Sequence, residues 1–303
     1  MAFPPDEAKL VSIFVQTLLY GAYSVLFALT TWLFLGGNSK VILFTARRRM
    51  FIVSILLFVI ATMHVCVNFT RIIKAFIIFR DAPGGPGAFF NRLSEFTEMF
   101  GSTLYVAQTL LGDALVIWRC YAIWDKNFFI IALPLLLLLG STATGIGILY
   151  SFDRVVPEAD IFVTQLQQWI TSFFSMTLAT NIIGTGLAAY KLWRINSKGF
   201  KRTRKRLYPV LLVIVESGAI FSAALLTLLI LYKSDSWFQY VVVDAISPLV
   251  GIVFSVIMYR MLAGVTTVRG ETQLLMDNVD LGISSRNQSS DGSKLDRASS
   301  QGA

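Results

Sequence analysis

FFIIALPLLLLLGSTATGIGILY, residues 128–150, runs for 23 residues without a charged side chain. As a helix rising 1.5 Å per residue, such a stretch covers the roughly 30 Å of hydrocarbon in a bilayer. Lipid offers no partner for backbone N–H and C=O groups, so a spanning segment must pair them internally, as a helix does. The strict alternation of a barrel strand is absent. Hydropathy therefore decides the fold class before any motif is considered.

Six more segments read the same way: Leu10–Leu35, Met50–Ile78, Phe100–Trp124, Ile161–Trp193, Tyr208–Tyr232 and Phe238–Met261. Together the seven predict an all-α polytopic membrane protein, a seven-transmembrane-helix bundle. Composition agrees, since 55% of the 303 residues are apolar and only 15% charged, against about 25% in a soluble domain. The first span follows Asp6 and Glu7 rather than a basic region and outruns the apolar core of a signal peptide, so it is expected to be retained. The expected organisation is a short extracellular N-terminal segment over 1–9, a transmembrane domain over 10–262 and a cytoplasmic tail over 263–303. That tail, rich in Ser, Gly and Asp and without periodicity, reads as disordered, with serines open to phosphorylation.

Charge sets the expected orientation. The first connection carries Lys40, Arg47, Arg48 and Arg49. The fifth, with the helix end before it, carries eight cations, among them Lys201, Arg202, Arg204, Lys205 and Arg206. The tail from Arg260 carries five more, whereas the fourth connection has Arg154 alone. The positive-inside rule then places the N-terminus outside and the C-terminus in the cytoplasm. The formal net charge of +8 reflects this asymmetry rather than nucleic-acid binding. The basic run is either an orientation signal alone or also a surface for anionic lipid or a cytoplasmic signalling partner.

Several classes are excluded. One histidine, His64, is too few for bis-haem cytochromes, histidine-box desaturases or zinc hydrolases. Both cysteines, Cys66 and Cys120, fall within spans, which rules out a loop disulfide. The last span has no lysine for a retinal Schiff base. No nucleophile–base pair or metal cluster is legible, so neither catalytic activity nor a cofactor or metal is expected.

Ionisable residues inside a membrane are costly and usually face a bundle interior. Three carboxylates lie within spans: Asp113, Glu216 and Asp244. Helical rise puts Asp113 about 20 Å below the outer face and Glu216 about 12 Å above the inner one, at similar depth. With Arg119 at the end of the third span, these two form a candidate switch or ion site, through an Arg119–Glu216 pair or through a proton or cation shared by the two acids. His64, Asn68 and Arg71 share one face of the second span, with His64 level with Asp244. Closing a seven-helix ring would bring those two together. His64, Asn68, Asn181 and Asp244 are thus a candidate outward-facing ligand cavity. For Thr177, Asn181 and Thr185 of the fifth span, hydrogen-bonding glue between helices is the competing reading. Arg71 and Lys74 read as interfacial snorkelling anchors.

The stretches GDALVIWRCYAIW (112–124), ATNIIGTGLAAYKLW (179–193) and VIVESGAIFSAAL (213–225) resemble a lineage-expanded family of seven-helix membrane proteins of mushroom-forming fungi. The resemblance covers about residues 10 to 262 and implies the fold. It marks Asp113, Arg119, Tyr121, Trp124, Asn181, Trp193, Glu216 and Ser217 as motif positions, and brings no activity with it. A looser likeness is to G-protein-coupled receptors. Trp118 stands where their motif has an acid, and the last span lacks Asn-Pro-x-x-Tyr.

Two functions compete on these grounds. One is a receptor-like sensor in the plasma membrane that binds a small molecule or peptide between its helices and couples through the basic fifth connection. The other is a transporter or lipid translocator with Asp113 and Glu216 as coupling groups. Internal repeats, frequent in transporters, are not evident between the two halves.

Overall fold

A computed structural model describes residues 5–36, 44–90, 95–154, 160–198, 201–234 and 236–260. The helices are α1 (Pro5–Gly36), α2 (Phe44–Ile73), α3 (Gly85–Phe90), α4 (Phe96–Ile123), α5 (Phe128–Arg154), α6 (Asp160–Lys198) and α7 (Lys201–Lys233), followed by α8 (Gln239–Arg260). All but the short α3 are long and apolar enough to cross a membrane, which gives the seven spans expected. Among the described residues there is no strand. The expected tail lies outside the described residues.

Several boundaries differ from the hydropathy reading. Helix α1 begins at Pro5, five residues early, and so takes Lys9 into the bundle. The basic run Lys201–Arg206, expected as a connection, forms the first turns of α7. Lys, Arg and Leu are good helix formers, so an apolar helix extends through a basic stretch until something stops it. Helix α2 ends in a π-turn over Lys74–Ile78, closed by the Phe79 N–H donating to the Lys74 carbonyl at 2.9 Å. The chain then reverses at Gly84 and Gly85, both with positive φ (82° and 57°). This folds α3 back, so that Phe89 and Phe90 pack on Ala75, Phe76 and Phe79.

Helix α4 is the hub. It packs against α2, α5 and α6, and Gly112 admits Val250 of α8. Helix α8 closes the other side, with Gly251 set against the Tyr23 ring of α1. Lipid tails are as apolar as leucine, so close packing at small residues, rather than hydrophobic exclusion, holds such helices together. Gly184 against Val116 and Gly218 against Thr185 repeat the device between α4, α6 and α7. The core runs through Tyr105, Phe173, Phe174, Leu225, Ile246 and Phe254. Phe14, Leu18, Trp32, Leu136 and Phe129 are exposed, a surface suited to acyl chains rather than to water.

The contrast between glycines is testable. A Cβ at Gly251 would overlap the Tyr23 ring, whereas one at Gly186 meets nothing within 4 Å. Gly251→Ala should destabilise the protein by about 1–3 kcal/mol through overpacking. Gly186→Ala should be neutral or stabilising by up to about 1 kcal/mol, from helix propensity alone. Thermal unfolding of the detergent-purified variants measures both; equal effects would discount the α1–α8 contact.

Candidate functional site

Two of the spaces among the described residues lie inside the bundle. The larger, about 260 Å³, sits toward the end where α1 begins. One wall is polar, made by Lys9 of α1, His64, Asn68 and Arg71 of α2, Glu98 of α4 and Asp244 of α8. Ile148 and Phe152 of α5 with Leu166, Phe173 and Phe174 of α6 form the other.

The polar wall is cross-linked. Asp244 accepts a hydrogen bond from the Ser12 hydroxyl and pairs with Lys9 at 3.5 Å. His64 Nε2 lies 3.8 Å from the same carboxylate, so the structure brings together the two residues expected to meet. Asn68 Nδ2 donates to Gln16 Oε1 at 2.9 Å, which orients the Gln16 amide. Gln16 Nε2 then lies 3.0 Å from His64 Nδ1 and donates to it. Nδ1 is therefore the acceptor, and in the neutral ring the proton sits on Nε2, aimed at Asp244. Three helices, α1, α2 and α8, meet in this one network.

The α1 contribution was missed at the sequence level. Lys9, Ser12 and Gln16 follow i, i+3 and i+7, one face of a helix, but counting Lys9 as part of a short extracellular segment hid the stripe. Arg71 also requires a correction. It is buried, not a snorkelling anchor; it pairs with Glu98 and lies 5.7 Å from the Phe90 ring centre. Lys74, half-buried, donates to Glu95 at 2.8 Å. Because α4 starts at Phe96 rather than Phe100, Glu98 is within reach as a helical partner.

The smaller space, about 50 Å³, lies nearer the other end, between α4, α6, α7 and α8. Asn181 lines this one, not the larger cavity, and donates to the Ser222 hydroxyl at 3.1 Å. Arg119 also lines it, its guanidinium 5.0 Å from the Phe254 ring centre. Parts of the stretches 112–124, 179–193 and 213–225 converge here, through Gly112–Ile123, Asn181–Ala188 and Ser217–Phe221. Around the same end, Trp124 Nε1 donates to the Leu187 carbonyl at 3.1 Å, and Tyr190 stacks on Trp124.

Glu216 does not join them. It is exposed on the outer face of α7 and forms no ion pair among the described residues. The buried face of α7 is Ser217, Gly218, Phe221, Leu225 and Leu228, and Glu216 precedes Ser217 by about 100° of helix rotation. The close approach of Gly218 to Thr185 fixes that rotation. The expected Asp113–Arg119–Glu216 constellation therefore separates into three places. Asp113 is fully buried and lines neither space. Lys201, Arg202, Arg204, Lys205 and Arg206 lie on the first turns of α7, their side chains outside the described residues.

A multi-pass helical bundle enclosing a polar–aromatic cavity is the class that fold and site define. Compared with family models, curated proteins and solved structures, the chain matches none. The cavity is therefore read from its own geometry.

Removing Asp244 alone leaves Lys9 charged and buried without its ion-pair partner, with only the Tyr240 ring, 4.2 Å away, beside it. Asp244→Ala should cost about 3–5 kcal/mol. Pairing Asp244→Leu with Lys9→Met should recover most of that, because replacing both charges by apolar groups removes the desolvation cost. Unfolding of the purified variants decides; a double variant as unstable as the single would show that Lys9 is not the partner that matters.

Proposed function

We propose that this protein is a receptor-like sensor of the plasma membrane, with the larger cavity as its ligand site. The observation that carries the reading is the cavity's two-sided lining. Charges that neutralise one another stand on one wall and Phe152, Phe173 and Phe174 on the other. Ligand sites are concave and mostly apolar with a few placed polar groups, and commonly lie between helices of bundles. Lys9 pairs with Asp244 and Arg71 with Glu98, so the wall presents no net excess of cation or anion. An amphipathic small molecule with a hydrogen-bonding head and an apolar body fits such a lining. The proposed orientation has this cavity toward the outside and the basic start of α7 in the cytosol, by the excess of Lys and Arg at that end. There the helical run Lys201–Arg206 would meet an acidic signalling partner or anionic lipid.

Screening the purified protein against a panel of small amphiphiles by thermal shift tests the site. A ligand held at 100 times its Kd stabilises by about 2.7 kcal/mol, and Ser102→Trp, which fills the cavity, should abolish the shift. A hit unaffected by that substitution lies elsewhere. Flux of the hit across reconstituted vesicles would favour the transporter reading; saturable binding without flux favours the sensor.

The orientation has its own test. An epitope fused after Ala303 should escape antibody on intact cells and be detected after permeabilisation. Staining of intact cells would reverse the topology and put the cavity on the cytoplasmic side.

A further inference from the structure

Arg119 lies one turn before the end of α4 and lines the smaller space, between α4, α6, α7 and α8. It is half-buried, and among the described residues it forms no ion pair. Its Nε is enclosed without a hydrogen-bond partner. The contact it does make is with the face of Phe254, 5.0 Å from guanidinium carbon to ring centre. A ring face compensates a cation less fully than a carboxylate does. The described carboxylates of these four helices stand elsewhere. Asp113 faces Thr177, Glu98 and Asp244 serve the larger cavity, and Glu216 is exposed on the outer face of α7.

The space is otherwise lined by apolar side chains such as Leu115, Val250 and Phe254, with Asn181 and Thr185 among the few polar ones, and it has no acid. The Asn181 amide is committed to Ser222. The Thr185 hydroxyl reaches only Asn181 Oδ1, at a long 3.4 Å, and is available as a second donor. About 50 Å³ has room for one small oxyanion group. The planar guanidinium fork matches the oxygens of a phosphate, and its single charge balances one negative charge. A free dianion would leave a charge uncompensated where water is scarce. A phosphodiester lipid carries one charge, and its acyl chains have a bilayer to enter. Trp124, Tyr190 and Trp193 stack beside this end of α4, the aromatic pattern of a membrane interface, which puts Arg119 about one turn inside headgroup level. The cations of the same end, Lys191, Arg194 and the run 201–206, attract anionic lipid to it.

We propose that the smaller space binds the phosphate group of an anionic lipid, held by the Arg119 guanidinium with Thr185 as second donor, while the acyl chains leave between the helices into the bilayer. The same chemistry suits free phosphate, but the membrane supplies the lipid form at the right depth and with the right charge. A headgroup there links α4, through Arg119, to α6, through Thr185. The site stands whichever end of the bundle faces the cytoplasm and whatever occupies the larger cavity.

The test is thermal unfolding of the detergent-purified full chain titrated with phosphatidylglycerol, with phosphatidylcholine and inorganic phosphate as parallel arms at matched ionic strength. In the wild type the midpoint should rise and saturate with phosphatidylglycerol. It should respond more weakly to phosphatidylcholine, whose choline cancels the charge, and remain unchanged with inorganic phosphate. Arg119→Gln should lose the phosphatidylglycerol response, and Arg119→Lys, which lacks the planar fork, should keep part of it. Thr185→Val should need several-fold more lipid for the same rise. An equal response in wild type and Arg119→Gln overturns the proposal and assigns the lipid to the basic run of α7. A wild type indifferent to phosphatidylglycerol overturns it as well. An equal rise with inorganic phosphate, lost in Arg119→Gln, overturns the lipid in favour of a free anion. Should Arg119→Gln fail to fold, the wild type decides through arylglyoxal modification of Arg119, followed by mass spectrometry of its peptide. Phosphatidylglycerol should slow that modification several-fold and phosphatidylcholine should not; a rate unchanged by phosphatidylglycerol sinks the site.

Discussion

A carboxylate held at Asp244, in a helix otherwise made for hydrocarbon, needs compensation from side chains that reach it. It receives this from Lys9 and Ser12 of α1 and from His64 of α2. Those contacts decide where α8 sits. An apolar helix in lipid packs about equally well in many rotations, because its neighbours and its solvent are alike. A buried charge removes that freedom, since only one rotation and one depth bring Asp244 to its partners. Gly251 against Tyr23, nearly two turns further along α8, then permits close packing in the rotation that the charge has set. The larger cavity is a consequence, for its polar wall is the network's inner surface.

Charge compensation also explains how so polar a wall persists within a membrane. Each acid on it has a cation at hand, and the amides of Gln16 and Asn68 complete the connections between α1 and α2. A buried pair of this kind adds little net stability over apolar residues of the same size, but it penalises every arrangement in which one partner is left alone. Its effect is to specify one bundle among the many that hydrophobic helices would accept.

Most of the architecture was legible in hydropathy. The seven spans are where apolar length places them, because a bilayer imposes its thickness on any sequence that crosses it. The contact of His64 with Asp244 was also legible, from depth and ring closure. What sequence concealed was rotation. Helical rise reads Glu216 and Asp113 at similar depth, but depth says nothing about which way a side chain faces. Gly218 must approach Thr185, which turns Glu216 outward. Asn181 went to the smaller space for a similar reason, its amide being committed to Ser222 of α7. Lys9 and Glu98 were hidden by boundaries set several residues too short, since hydropathy marks where lipid begins and not where a helix stops.

The two spaces need not act independently. Tyr105 of α4 and Phe173 and Phe174 of α6 line the larger one, and Asn181 and Arg119 line the smaller. The two helices are joined by close packing at the smaller space, as Gly184 against Val116, and by the facing pair Asp113 and Thr177. A ligand that displaced Tyr105 or Phe174 would move the upper halves of α4 and α6, and Asp113 lies at the next polar contact below. Signalling requires an element with two arrangements whose balance both sites bias. Asp113 and Thr177 face each other across α4 and α6 as a buried polar contact. The helix pair at the centre of the bundle is thus also the part best placed to carry a change from one end to the other.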